Sequence, residues 1–280
     1  MTKTIIAIGG GEIGRIKVHD DGRREQKPIE TMVIDKKIIE LTGKEHPTMV
    51  FIGAASGDNP AYFTAVKNHF ADRLGCRVEN LALTQNLDIK DITKNIMDAD
   101  IIYIGGGNVT DLMGVLNGTG ATKVLQDAYN RGIIMSGNSA GGCVWFESYD
   151  NDEDADFDGT FDTLNTKSAL GWVSGLFMPH WNKAPDSGIN KDSVSKEAIK
   201  KLLVRESKFG YGVDEGAAIM VQTDENGNQT ITEIISGSFD VKTDATGREI
   251  LVENKSKPRP KIYKLNHINQ QRVNSGRARE

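Results

Sequence analysis

The chain has 280 residues, 38% of them apolar, with 30 glycines and a formal net charge of −5. That length holds one large domain or two small ones around a buried core, and the acidic balance gives no sign of nucleic-acid or membrane binding. No apolar run reaches transmembrane length, and the apolar opening over 4–8 is too short for a signal core, so it is expected to be the first buried strand. Cys76 and Cys143 lie far apart and in no metal-binding spacing. They predict a cytoplasmic protein with neither disulfide, metal nor cofactor.

In chain order, short apolar runs predict strands over 4–8, 48–52, 77–81, 101–104 and 133–135. Helical patterns lie between them, over 32–42, 61–74, 88–97, and 110–117 continuing through 122–130. Asn59-Pro60 is a start signal for the second of these helices. Such alternation predicts an α/β fold, a mostly parallel sheet with helices on both faces. The pattern then continues with interruptions. An apolar run over 176–178 ends in Pro179-His180, and 193–207 has helical spacing. Strands over 212–221 and 231–235 are expected to flank a hairpin turn at Asn226-Gly227-Asn228. The expected organisation is an α/β domain over 1–240 and a C-terminal β-hairpin extension over 241–280, with an edge strand at 262–265 and a loose basic tail.

The densest chemical signal is Gly137-Asn138-Ser139-Ala140-Gly141, between an apolar run and a small-residue stretch. Its spacing fits a nucleophile elbow, a strand-to-helix turn that lifts a serine hydroxyl out of the sheet and aims the next N–H, that of Ala140, at what the hydroxyl attacks. The competing reading is a Gly-rich turn with an N-capping serine. A serine nucleophile needs a base and a group to orient it. Of five histidines, His180 stands where an apolar strand ends, the edge at which open α/β sheets place their sites. Asp214-Glu215 is a carboxylate pair in what reads as a buried strand, where charge calls for a partner. Glu215 is preferred as the orienting acid and Asp214 is the alternate. Gly105-Gly106-Gly107-Asn108 follows another strand and would let backbone approach a substrate oxygen, with Gly106 and Asn108 as candidate substrate contacts. Cys143 reads as a packing residue.

Two look-alikes carry less weight. Gly9-Gly10-Gly11-Glu12-Ile13-Gly14 satisfies G-x-G-x-x-G, but the charged stretch 15–26 after it lacks the helix that a dinucleotide site requires. The acidic segment 148–162 is too charged for core and is expected as a surface loop near the site. Within it Asp154-x-Asp156-x-Asp158-Gly159 begins like an EF-hand loop, yet the twelfth position is Asn165 instead of Glu.

Taken together, Ile8-Gly9-Gly10-Gly11-Glu12, Phe51-Ile52-Gly53-Ala54-Ala55-Ser56, Ile104-Gly105-Gly106-Gly107-Asn108, the elbow, Pro179-His180 and Asp214-Glu215-Gly216 resemble the peptidase E (aspartyl dipeptidase) family of serine peptidases, whose wider relatives include cyanophycinase. The resemblance runs from the start of the sequence to about Val221. It implies a fold like that of class I glutamine amidotransferases, with Ser139 as nucleophile, His180 as base and Glu215 as orienting acid. It also implies an oxyanion hole from the amides of Gly107 and Ala140. The order Ser, His, Glu differs from the Ser, acid, His order of α/β-hydrolases. Some relatives use an Asp in the loop after the elbow, and Asp154 is nearest by spacing. The family's preference for an N-terminal Asp calls for a positive group; the quoted motifs carry no Arg, and Lys183 and Arg15 are only near them in sequence.

The expected activity is hydrolysis of small peptides by a monomer or homodimer. The alternatives are a cyanophycinase-like isopeptide hydrolase and an esterase using Ser139, Asp214 and His267. A non-enzymatic binding protein or a dinucleotide-binding protein ranks lower.

Overall fold

The computed structural model describes residues 2–151, 163–186 and 194–266. β1 (Lys3–Ile8) is followed by a hairpin of β2 (Ile16–Val18) and β3 (Arg24–Gln26), then α1 (Met32–Glu40) and β4 (Thr48–Ile52). Next come α2 (Pro60–Lys67), a π-type continuation over Asn68–Arg73, β5 (Arg77–Asn80), α3 (Ile89–Met97) and β6 (Ile101–Ile104). The helices α4 (Val109–Gly118) and α5 (Ala121–Asn130) lead to β7 (Ile134–Asn138) and the short α6 (Ala140–Cys143). Helix starts follow their capping chemistry. The Asn59 side chain accepts from the amides of Ala61 and Tyr62, and that of Asp88 from Lys90.

The chain then leaves this layer. β8 (Phe146–Asn151), β9 (Asn165–Ser168), β10 (Val173–Met178), α7 (Lys196–Arg205) and β11 (Phe209–Val213) form most of a second layer. β12 (Ala217–Thr223) and β13 (Gln229–Ile235) return to the first sheet, and β14 (Phe239–Thr243), β15 (Glu249–Glu253) and β16 (Ile262–Asn266) follow. The main sheet has the order β13-β12-β1-β7-β6-β4-β5. Its strands from β1 to β5 are parallel, and β12 and β13 are antiparallel additions. The second sheet runs β16-β11-β10-β8-β9.

Side-chain alternation explains the two covered faces of the main sheet. Ile5, Ala7, Val50, Ile52, Ile102 and Ile104 pack with the α3, α4 and α5 layer. Ile6, Ile8, Met49, Phe51, Ile101 and Tyr103 pack with α1, α2 and the π-type turn. Runs apolar at every position are what a strand buried on both faces requires.

The fold is the expected α/β arrangement with extra C-terminal strands, but two local expectations fail. The stretch 212–221 is two strands in different sheets: β11 ends at Val213, β12 begins at Ala217, and Gly216 turns between them at φ +77°. Residues 148–151 belong to β8, where Ser148, Tyr149 and Asn151 are buried and Asp150 is the one charged residue, half-buried between them. The remainder of that acidic segment, including Asp154 and the calcium-like positions Asp156 and Asp158, lies outside the described residues. The stretch after Gly9–Gly14 opens no helix to hold a pyrophosphate, as its charge pattern led one to expect; it is the hairpin β2–β3. His267 of the esterase alternative also lies outside the described residues.

Ile102 is fully buried in the middle of the main sheet. Ile102→Ala should cost about 2–5 kcal/mol of stability, read as a lowered urea midpoint with an unchanged denaturant slope.

Candidate active site

The end of β1 organises the site. Three successive carbonyls, those of Ile8, Gly9 and Gly10, accept the backbone N–H groups of Ser139 (2.9 Å), His180 (2.7 Å) and Gly216 (3.0 Å). Each donor stands at the end of a different strand or turn, so one short loop draws three distant segments together.

Ser139 has φ 55° and ψ −116°, a left-handed conformation that a non-glycine residue adopts only under constraint. The elbow glycines are required by close approach. A methyl on Gly137 would meet the carbonyl of Gly141, and one on Gly141 would meet that of Ile104. His180 also has a positive φ, 53°, directly after the strand-ending Met178-Pro179. Its ring lies against Gly10, where an added Cβ would stand 2.5 Å from Nδ1.

The side chains meet in a line. His180 Nε2 is 2.8 Å from Ser139 Oγ, and His180 Nδ1 is 2.9 Å from Glu215 Oε1. The second carboxylate oxygen, Oε2, pairs with Lys183 Nζ at 2.7 Å. The Glu215 amide donates to Asn182 Oδ1 (3.0 Å). Burial pushes the Glu215 carboxyl up, but the hydrogen bonds from His180 and Lys183 outweigh it and hold the group below the usual glutamate range. Its neighbour behaves in the opposite way. Asp214 is 5% exposed, its Oδ2 accepts from the Lys261 amide (2.9 Å), and burial raises its pKa. Thus Glu215, and not Asp214, meets the histidine.

The other predicted positions divide. Gly106 faces Ser139, since an added Cβ would lie 3.2 Å from Ser139 Cβ, and its N–H donates to Tyr62 Oη (3.0 Å). Asn108 uses its side-chain oxygen to cap α4 through the Asp111 amide (2.9 Å). The amides of Gly107 and Ala140 take no part in the backbone bonds of the turns around them, among the described residues. Asp154 lies outside the described residues. Cys143 is buried and its thiol pKa is pushed up by that burial, as suits packing and not nucleophilic attack.

Two contributors went unassigned in the sequence. Lys183 is one turn from His180 in His180-x-x-Lys183, its amide bonding the His180 carbonyl at 2.8 Å, and that spacing was the available signal. Tyr62, half-buried against the glycine run, had no signal beyond its place in a helix. A cleft of about 1140 Å³ opens over His180, Glu215 and Asn138 and is lined also by Glu12, Arg15, Tyr62 and Lys183. Arg15 is held there by Glu12 through two contacts of 2.8 and 2.9 Å.

A family model described as Peptidase family S51 matches residues 22–228. The chain belongs to peptidase family S51. It is 28% identical over 226 residues to an uncharacterized peptidase, YgaJ, of Bacillus subtilis, covering 80% of this chain and 85% of that one. It is also 28% identical over 163 residues to peptidase E of Haemophilus influenzae, covering 58% and 69% of the two chains. Among solved structures, a peptidase from an acI-B1 Actinobacterium superposes with a TM-score of 0.58 at 19% identity, covering 86% of this chain and 97% of that one. A putative peptidase E protein from Listeria monocytogenes gives 0.53, also at 19%, covering 84% and 100%. The chain is therefore a serine-type peptidase of this family, on a fold shared with those structures.

The environment of Glu215 fixes a pH signature. A carboxyl whose folded pKa lies below its unfolded value contributes stability above the unfolded pKa and loses it as pH falls through the folded one. Lys183→Met removes one of the two lowering contacts, so the folded pKa should rise toward the unfolded value. The variant should be less stable than wild type at about pH 7, and the gap should narrow as pH falls through the folded pKa of Glu215. Urea unfolding across a descending pH series reads this out.

Proposed function

We propose that this peptidase hydrolyses short peptides through an acyl-enzyme formed on Ser139. The observation that carries the reading is the continuous line from Ser139 Oγ through His180 to Glu215 Oε1, with contacts of 2.8 and 2.9 Å. His180 takes the Ser139 proton as the hydroxyl attacks the scissile carbonyl. It then delivers that proton to the leaving amine, and water resolves the ester. With Nδ1 donating to Glu215, Nε2 is left as the acceptor that the serine proton requires. Glu215 remains ionised, holds this tautomer and stabilises the imidazolium. Lys183, on the carboxylate's other oxygen, limits its rotation.

Charge developing on the carbonyl oxygen would be met by the amides of Gly107 and Ala140, each such donor contributing on the order of 3 kcal/mol. The glycine run beside Ser139 supports this role, as does the Tyr62 hydroxyl that anchors it through Gly106. A cytoplasmic site of action is part of the same proposal, supported by two free, buried cysteines. No helix among the described residues is long and apolar enough to cross a membrane.

A peptide panel with varied first residues tests the reading. Wild type should cleave at least one member. Ser139→Ala should lose on the order of 10⁵-fold or more in kcat, and Glu215→Gln on the order of 10⁴-fold with a smaller change in KM. Asp214→Asn should leave kcat within a few-fold; a loss matching that of Glu215→Gln would reassign the orienting acid. Cleavage surviving Ser139→Ala would overturn the scheme.

Thiol chemistry gives an independent check. Burial pushes Cys76 up to about 11 and holds Cys143 well above the usual thiol range. Iodoacetamide should leave turnover intact, whereas a fluorophosphonate should abolish it and label Ser139, as peptide mapping would show.

A further inference from the structure

The cleft extends well beyond the reacting groups. One wall is α2 with its π-type continuation: Tyr62 is bonded to the amide of Gly106 in the glycine run, and Arg73 stands at the other end of the helix. Eleven residues of helix separate them, roughly 15 Å at the helical rise. At about 3.4 Å per extended residue, that distance takes about four residues of peptide.

What closes the far end comes from outside the family match. Arg73 pairs with Glu249 of β15 through Nε–Oε1 (2.5 Å) and Nη2–Oε2 (2.9 Å), and both side chains line the same cleft as His180. The family model stops at residue 228, whereas β15 begins at Glu249. The hairpin is fixed in place. Ile29 and Phe239 exchange backbone hydrogen bonds, each of 2.8 Å, and Ile13 of the glycine loop bridges Ile29 in turn. Arg73 is also held from behind by His69 Nδ1 (2.9 Å), whose Nε2 meets the buried Asp35 (2.8 Å). A guanidinium and a carboxylate that satisfy each other in this way present a closed surface and not free ligating groups.

We propose that this peptidase accepts oligopeptides of about four residues along α2, beyond dipeptides, and that the Arg73–Glu249 contact sets the upper limit. The inference rests on the peptidase reading above. It assigns a length selection to the β14–β15 hairpin, and the volume of about 1140 Å³ agrees with it, lying just above the range of small-ligand sites, which run to about 1000 Å³.

The test is a series of otherwise identical peptides of two to ten residues, followed by kcat/KM on wild type and by calorimetric binding to the inactive Ser139→Ala protein. Wild type should gain on the order of ten-fold between two and about five residues and lose that gain at greater length. Glu249→Ala and the size-preserving Glu249→Gln should move the fall-off to longer peptides, and Glu249→Asp should keep it nearer its original place. Melting curves ensure that only folded variants are compared. A wild-type profile flat beyond the dipeptide overturns the proposal, as does a fall-off unmoved in both folded Glu249 variants. Length-dependent binding without serine-dependent cleavage would sink the mechanism and leave the length selection standing. Neither binding nor cleavage at any length would sink both.

Discussion

Everything at this site depends on the three carbonyls that end β1. Strand β1 is central in the main sheet, held by β7 on one side and β12 on the other, so its end is among the least mobile backbone in the molecule. The carbonyls of Ile8, Gly9 and Gly10 project from that anchored end and collect Ser139, His180 and Gly216. The main sheet and the second sheet therefore meet at the reacting groups. The left-handed backbone at Ser139 and His180 is sustained because each residue's own N–H is bonded to this loop. Releasing the strain would break a buried hydrogen bond. Gly10 carries a second duty, since its missing side chain is the space in which the imidazole lies.

The adjacent carboxylates show how two residues of one turn acquire different roles. Asp214 points inward, bonds only a backbone amide with its Oδ2, and has its pKa raised by burial. Glu215, one residue on, meets a histidine and a lysine and is held ionised. The difference comes from the break between β11 and β12. A continuous strand would send the two side chains to opposite faces of one sheet. The turn instead gives one to the core and the other to the cleft.

Local signals were legible in the sequence wherever one residue type answers one backbone demand. The elbow could be read because Gly137 and Gly141 admit no side chain, and the parallel strands because they are apolar at every position. The Asn59-Pro60 helix start was visible for the same reason. What could not be read depends on contacts between distant segments. The stretch 212–221 reads as one strand because the apolar residues on either side of Asp214-Glu215 are both buried, although β11 and β12 belong to different sheets. The acidic opening of β8 conceals a strand because Ser148 and Asn151 are polar residues buried by tertiary packing. Lys183 and Arg15 were noticed only as nearby cations, and nothing in the sequence told that each is matched with a carboxylate. Tyr62 looked like any helical aromatic until the glycine run came to rest on its hydroxyl.

The C-terminal strands are built into this arrangement at several independent points. Lys257 holds Glu30 at 2.6 Å, and the other oxygen of Glu30 accepts the Glu12 amide at 3.0 Å, so the loop carrying Gly10 is braced from the far end of the chain. Lys261 exchanges backbone and side-chain bonds with Asp214, the residue before Glu215. β16 completes the second sheet by pairing with β11 along five residues. Freeing these strands would leave Asp214 buried with its carboxylate unsatisfied, the cost of a lost buried hydrogen bond, and Glu30 without its cation, a smaller loss because Lys257 is exposed. The segment beyond the family match is thus coupled to the two turns that present His180 and Glu215. Its order and the order of the site rise and fall together, and a chain ending near residue 240 would lack both the wall of the cleft and the brace beneath its glycine loop.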